Sequence, residues 1–289
     1  MSMKVLTLYI VFVLPLSVLA QVKQAYSLFD VKGKSISYEK MLKACSNADF
    51  VFFGEIHNNT LAHWLELQIL KDLHTEKPNV VMGLEMFEMD DQLIINEYLT
   101  KLIDEKQFLA EVKLWDNYKS DYRPLIEFAR SNEIKVVATN VPRRYANVVY
   151  KKGLQALDSL PDETKALMAP LPISVDYTLP NYKAMVDGMG HHAGGSAENL
   201  VASQALKDAT MAHNIANNYE EGQVFYHVNG AFHSQDKQGI VSYLTQAKPN
   251  LNVVTLHVVE QDDLDRLNPS NFGKADIIIC IAKDMIKSY

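Results

Sequence analysis

Two short segments carry the same chemical pattern. Gly54-Glu55-Ile56-His57 and Gly230-Ala231-Phe232-His233 each place a histidine three residues after a glycine, and each follows an apolar run, Phe50–Phe53 or Val224–Val228. Polar residues directly after an apolar strand lie where open α/β sheets place their ligand sites. The matching contexts suggest two related βα halves whose histidines approach each other across neighbouring strand tips. A third apolar run leads into Gly83-Leu84-Glu85-Met86-Phe87. A carboxylate there is costly to bury unless it is paired, protonated or bound to a cation. Glu55, His57, Glu85 and His233 are therefore candidate catalytic residues, with a glutamate as general base toward water. His57, Glu85 and His233 are also candidate ligands for a divalent metal. Their mixed nitrogen and oxygen donors suit zinc, manganese or iron. The helical His-x-x-x-His spacing of zinc proteases is absent from this set.

Further polar residues stand close by in sequence. Thr139-Asn140-Val141-Pro142-Arg143-Arg144 follows the run Ile134–Ala138. Arg143, nearer the strand end, can hold a carboxylate or phosphate through two parallel bonds. Arg144 is expected on a solvated helix face. Asn59 or Thr60 can cap the helix that follows. His63 lies six residues past His57, across that junction, so whether the two meet depends on the turn. Gln204, Asp208 and Met211 share one helix face, which either directs the two polar groups into a site or forms a solvated edge. Haem binding needs an axial ligand, an apolar slot and basic groups for the propionates. Tyr177, Tyr182, His191 and His192 are candidate ligands, with a surface loop as the competing reading of the histidine pair.

The elements that must position these groups alternate along the chain. Phe50–Phe53, Val80–Leu84, Ile134–Ala138, Val224–Val228, Leu251–Val259 and Ile277–Ile281 have the β-branched and aromatic content of strands buried on both faces. Between them, Leu61–Leu73, Asp91–Ile103, Pro124–Ala129 and Leu200–Tyr219 show helical periodicity. This rhythm predicts an α/β fold with a mainly parallel central sheet flanked by helices. Prolines and then glycines crowd the stretch from about Gly153 to Ala197, which reads as a helical and loop insertion within one domain over residues 21–289. Lys4, the apolar run Val5–Leu14 and the small residues up to Ala20 read as a signal peptide over residues 1–20. Its expected cleavage gives a periplasmic or secreted protein. The chain's formal charge is −7; losing Lys4, the one charged residue of 1–20, leaves −8. An acidic balance argues against nucleic acid as a partner. Cys45 and Cys280, the two cysteines, are expected as separately buried thiols.

Taken together, the motifs resemble the ChaN-like family. They are Gly54-Glu55-x-His57 with His63 and Gln68, Gly83-Leu84-Glu85-Met86-Phe87, Trp115 followed by Tyr122-x-Pro124-Leu125, Asn140-Val141-Pro142-Arg143, Gln204-x-x-x-Asp208-x-x-Met211-Ala212, and Gly230-x-x-His233. The likeness runs from about Phe50 to Leu244. It implies haem as ligand and cofactor, and a part in iron and haem uptake at the cell envelope, beside other uptake components. Pairing two haems face to face would need a homodimer. The wider superfamily, with Tiki and TraB proteins and erythromycin esterases, uses its strand-end Glu/His motifs for hydrolysis, in some cases with a metal. That implies an alternative function, a metal-dependent amide or ester hydrolase. The chain departs from the family in two ways. It lacks the lipid-acceptor cysteine of many relatives, and no single tyrosine aligns with the family's haem-ligating one.

Overall fold

Each apolar run named above becomes a strand, and the pleat of the strands decides which face each side chain serves. The structure is a computed structural model that describes residues 23–188 and 196–289. In chain order its elements are β1 (Tyr26–Asp30), α1 (Tyr38–Ser46), β2 (Phe50–Glu55), α2 (Thr60–Glu76), β3 (Val81–Glu88), α3 (Gln92–Leu99), α4 (Glu105–Glu111), α5 (Arg123–Ser131), β4 (Lys135–Asn140), α6 (Arg143–Lys152), α7 (Asp162–Lys165), α8 (Pro180–Gly188), α9 (Ala197–Asn218), β5 (Phe225–Gly230), α10 (Ile240–Ala247), β6 (Val253–Gln261) and β7 (Ile277–Ala282). The sheet has seven strands in the order β1-β7-β6-β2-β5-β3-β4. All neighbours pair in parallel except β1, which runs antiparallel to β7 along one edge. The fold is thus α/β with a mainly parallel central sheet.

Alternation along the strands builds two cores. Val51 and Phe53 of β2, Met82 and Leu84 of β3, and Tyr226 and Val228 of β5 face α1, α2 and α5. Phe50 and Phe52, Val81, Val137 and Phe225 face α9 and α10 on the other side. Fully burying one such side chain contributes about 1.5–3 kcal/mol, which fixes strand register firmly, because a one-residue slip would exchange the faces. The chain leaves β4 through α6 to α9 and returns as β5 between β2 and β3. Strand order reverses there, and the tips of β2, β5 and β3 form the crevice where α/β sheets bind ligands.

Several boundaries differ from the expectations. β3 runs through Glu85 to Glu88. The helix expected over Asp91–Ile103 stops at Leu99, Lys101 takes φ 64°, and Asp104 opens α4 with a capping box closed by Gln107. β1 escaped the periodicity because it is a half-exposed edge of five residues. Trp64, counted with the apolar stripe of α2, is 49% exposed. The stretch after Gly153 lies over α6 and α9, with Leu157 and Met168 packing on Val149 and Leu206, and Tyr182 on Val201 and Ala205. Cys45 and Cys280 are both buried free thiols.

Candidate functional site

Parity along the strands sends Glu55 and Glu85 to opposite faces of the sheet. Glu55 follows Val51 and Phe53 onto the face of α2. Glu85 follows Val81 onto the face of α9. Two buried polar clusters result, and they meet at the strand tips.

The first cluster surrounds Glu55. Its Oε1 accepts hydrogen bonds from His57 Nδ1 and from the Tyr122 hydroxyl, both at 2.6 Å. Its Oε2 lies 3.5 Å from His63 Nδ1. Asn59 caps α2 by accepting from the Leu61 and Ala62 amides, which sets His63 in the first turn with Glu66 one turn on. His63 Nδ1 lies 3.1 Å from Glu66 Oε2. Its Nε2 faces the His57 carbonyl at 3.0 Å and Asp121 Oδ2 at 3.4 Å. A π-helical turn, Tyr118–Tyr122, presents Asp121 and Tyr122, while Asn117 donates to both the His57 carbonyl and Asp121. Burial and the nearby Glu66 carboxylate push the Glu55 carboxyl up to about 8 against the pull of His57 and His63. Burial works against a charged His63, but Glu66, Glu55 and Asp121 outweigh it and raise that imidazole to about 10. His57 is also raised, because Glu55 and Glu85 overcome its desolvation. Its side chain is 37% exposed and stands edge-on to Trp115.

The second cluster is a chain of polar groups through the interior. Glu85 Oε2 accepts from the Gly230 amide at 2.7 Å, and its Oε1 meets His233 Nε2 at 3.1 Å. His233 Nδ1 donates to Asp208 Oδ1 at 2.5 Å, and the Tyr182 hydroxyl donates to Asp208 Oδ2 at 2.8 Å. The Gln204 amide nitrogen sits 3.0 and 3.2 Å from the two ring nitrogens of His233. Burial opposes charge on both Glu85 and His233. Their attraction prevails, holding the carboxyl below its usual range and lifting the imidazole to about 10. Beneath them His227 is kept neutral by burial, down to about 4. Its Nδ1 lies 3.0 Å from Asn229 Oδ1 and its Nε2 2.9 Å from the Thr139 hydroxyl, which itself donates to the Leu84 carbonyl.

Gly230 joins the clusters. A Cβ there would stand 2.7 Å from His57 Cε1 and Nε2 and 3.6 Å from Glu85 Oε2. Only a bare backbone lets the half-exposed imidazole of the first cluster lie against the strand that carries the second.

Beside the tips opens a cavity of about 1070 Å³ between α6, α9 and the Leu114–Asn117 loop. Arg143, Asn147 and Tyr150 face it from α6, Leu200 and Lys207 from α9, and Trp115 from the loop. Arg144 is tied to Asp90, and Lys113 to Glu88 and Asp90. Arg143 and Lys207 form no ion pair with a described residue.

Comparison with known proteins gives this arrangement a relationship. Residues 41–244 match the family model described as haem-binding uptake, Tiki superfamily, ChaN. The chain belongs to that family. Among solved structures it is similar to ChaN of Campylobacter jejuni, with a TM-score of 0.65 at 17% identity, covering 91% of this chain and 97% of that one. A succinoglycan biosynthesis protein shares the fold at a TM-score of 0.52 and 11% identity, over 91% of this chain and 95% of that one. The Arabidopsis thaliana chloroplast protein RETICULATA-RELATED 5 is 28% identical over 133 residues, 44% of this chain and 18% of that protein. The chain thus spans under a fifth of that relative's length.

In this ChaN-family chain the structure gathers Glu55, His57, Glu85, His233, Gln204 and Asp208 at one rim of the sheet. His63 joins them, and Asn140 donates to the Glu85 carbonyl at 3.1 Å. The expected metal set changes. Among the described residues, the donors found within 4.8 Å of one another belong to Glu55, His63 and Glu66, not to His57, Glu85 and His233. His233 Nε2 and Nδ1 are each engaged by a carboxylate, and His57 Nδ1 is turned to Glu55. Tyr182 is buried and supports Asp208, whereas Tyr177 is 41% exposed. His191 and His192 lie outside the described residues, as does the stretch 1–20. Reading the sequence missed Glu66, although it falls between Ala62 and Ile69 on the buried stripe of α2, a position that marks an inward carboxylate. Asp121 left no such signal, because a π turn with no periodicity of its own positions it.

Proposed function

We propose that this protein binds haem in the cavity between α6 and α9. One observation carries the reading. The chain is acidic overall, yet this cavity of about 1070 Å³ combines Trp115, Tyr150 and Leu200 with two uncommitted cations, Arg143 and Lys207. An apolar slot with basic groups for two propionates is what a porphyrin requires. Family membership supports the same ligand. Tyr150, seven residues from Arg143 on the same face of α6, offers a phenolate to the iron. Titrating the apo-protein with haemin should give a saturable, shifted Soret band. The shift should be lost in Tyr150→Phe and weakened at least tenfold in Arg143→Ala/Lys207→Ala. Loss in Tyr177→Phe instead would move ligation to the segment before α8, and an unsaturable band would refute haem binding.

The apolar stretch within residues 1–20 supports a place at the cell envelope, periplasmic or secreted, within iron and haem uptake. The Campylobacter jejuni ChaN binds haem cofacially. The same arrangement here would join two copies, which sedimentation with and without haemin would reveal. A second reading, hydrolysis of an amide or ester, draws on the Glu55–His57 pair. A buried carboxylate 2.6 Å from Nδ1 orients an imidazole whose side chain is 37% exposed, as a general base needs. Cleavage of amide or ester substrates should then vanish in Glu55→Gln.

A further inference from the structure

We infer that Glu55, His63 and Glu66 form a binding site for one divalent transition-metal cation of the manganese, iron or zinc class. The site lies inside the first cluster, and none of its three residues lines the cavity proposed for haem.

One donor atom from each residue lies within 4.8 Å of the other two. Ligands bound at about 2.1 Å stand about 3.4 Å apart around a tetrahedral cation and at most about 4.2 Å apart across one, so closure requires side-chain shifts of up to about an ångström. All three residues are buried, at 2%, 4% and 0% exposure. A second observation points to a ligand. Glu55 Oε2 and Glu66 Oε1 are both sealed from solvent and have no hydrogen-bond partner. Two carboxylate oxygens left bare in an interior are costly, and a cation between them removes that cost.

The surrounding groups are arranged as supports for a metal ligand. His63 Nε2 is held by the His57 carbonyl at 3.0 Å, with Asp121 Oδ2 at 3.4 Å. That holds hydrogen on Nε2, so Nδ1, which faces Glu66 Oε2 at 3.1 Å and Glu55 Oε2 at 3.5 Å, becomes the ligating nitrogen once an arriving cation displaces its proton. A histidine whose second nitrogen donates to a carbonyl or carboxylate is the usual outer shell of a metal site. Glu55 Oε1 is already engaged by His57 and Tyr122, which leaves Oε2 for the cation. Two carboxylate oxygens and one imidazole nitrogen, with no thiolate, favour this metal class over copper(I). A bound cation would clamp the end of β2 to the first turn of α2, directly beneath His57.

The test uses the whole protein, stripped with EDTA, loaded with Mn²⁺ or Zn²⁺ in the absence of haem, dialysed and measured by elemental analysis. We expect close to one equivalent per chain and a rise in melting temperature on loading. Glu66→Gln and His63→Gln, each shown to be folded by circular dichroism, should retain less than a tenth of that metal, while His213→Gln, a half-exposed position on α9 outside both clusters, retains it. If Glu66→Gln fails to fold, Glu55→Gln takes its place. Failure of the wild-type protein to hold metal above the dialysis background overturns the site. So does retention of a full equivalent in folded Glu66→Gln and His63→Gln, which would place the metal elsewhere in the protein.

Discussion

Replacing His233 with leucine should be among the most damaging single changes in the protein, for an electrostatic reason. The imidazolium lies between two buried carboxylates, 3.1 Å from Glu85 and 2.5 Å from Asp208. Leucine fills much of the space but leaves both acids without their counter-charge. Each keeps one donor, the Gly230 amide on Glu85 and the Tyr182 hydroxyl on Asp208. Breaking a buried ion pair by deleting one partner costs about 3–5 kcal/mol. At roughly 2–4 °C per kcal/mol for a chain of this size, the melting temperature should fall by roughly 6–20 °C. Urea and thermal unfolding followed by circular dichroism would measure it. Glu85→Gln placed in the His233→Leu background should recover at least about 1 kcal/mol, the coupling expected of groups in direct contact. A loss for His233→Leu under about 1 kcal/mol, the scale of an exposed ion pair, would show that the Glu85–His233–Asp208 chain is not a buried charge network. So would a double mutant no more stable than the single one.

Two other expectations follow from the same geometry. Gly230→Ala forces the His57 ring from its place against β5. The ring is half-exposed and can swing outward, so stability should change by under about 1.5 kcal/mol. The His57–Glu55 hydrogen bond should break, and the His57 pKa, read by NMR, should drop; an unchanged value would refute the contact. Stability should also peak at roughly pH 6–7. His233 and His63 are raised to about 10 from 6.5, so their contribution is complete below 6.5 and is lost as pH climbs toward 10. Glu55, raised to about 8 from 4.5, adds a growing penalty between those values. His227 and His257, lowered to about 4, stabilise above 6.5 and lose that contribution as pH falls toward 4. Below 4.5 the depressed Glu85 is progressively lost as well. A flat profile between pH 6.5 and 9.5 would contradict this ordering.

The sheet was legible because its information is local. Strands buried on both faces must be apolar at every position, so Phe50–Phe53 and Ile277–Ile281 stand out as short runs. The site was legible where polar residues interrupt such runs, as at Glu55, Glu85 and His233. What stayed hidden depends on irregular backbone or on the choice of partner. The π turn that delivers Asp121 and Tyr122 follows no period. Tyr182, read as a candidate iron ligand, is turned inward because α8 packs on α9. Tyr150 attracted no attention, since a tyrosine on a lysine-rich helix gives no sign that a cavity lies beside it.

The two Gly-x-x-His segments show how one local pattern can acquire two different chemistries. His57 finds its carboxylate two residues back, on its own strand tip, and keeps one edge toward solvent. His233 finds its carboxylates on β3 and α9 and is sealed between them. The difference originates in strand parity and position. β2 ends with Glu55 directed to the α2 face, next to an imidazole its own loop returns. β5 is central and ends in a glycine, so its histidine must be neutralised by groups from neighbouring elements. The shared glycine spacing places both histidines at the rim, but the acid assigned to each is set by sheet order. Moving either glutamate by one residue along its strand would direct it to the other face, leaving one imidazole without its acid and the other cluster with a surplus. Chemistry at this rim therefore depends on the register of β2 and β3 as much as on the identity of the residues.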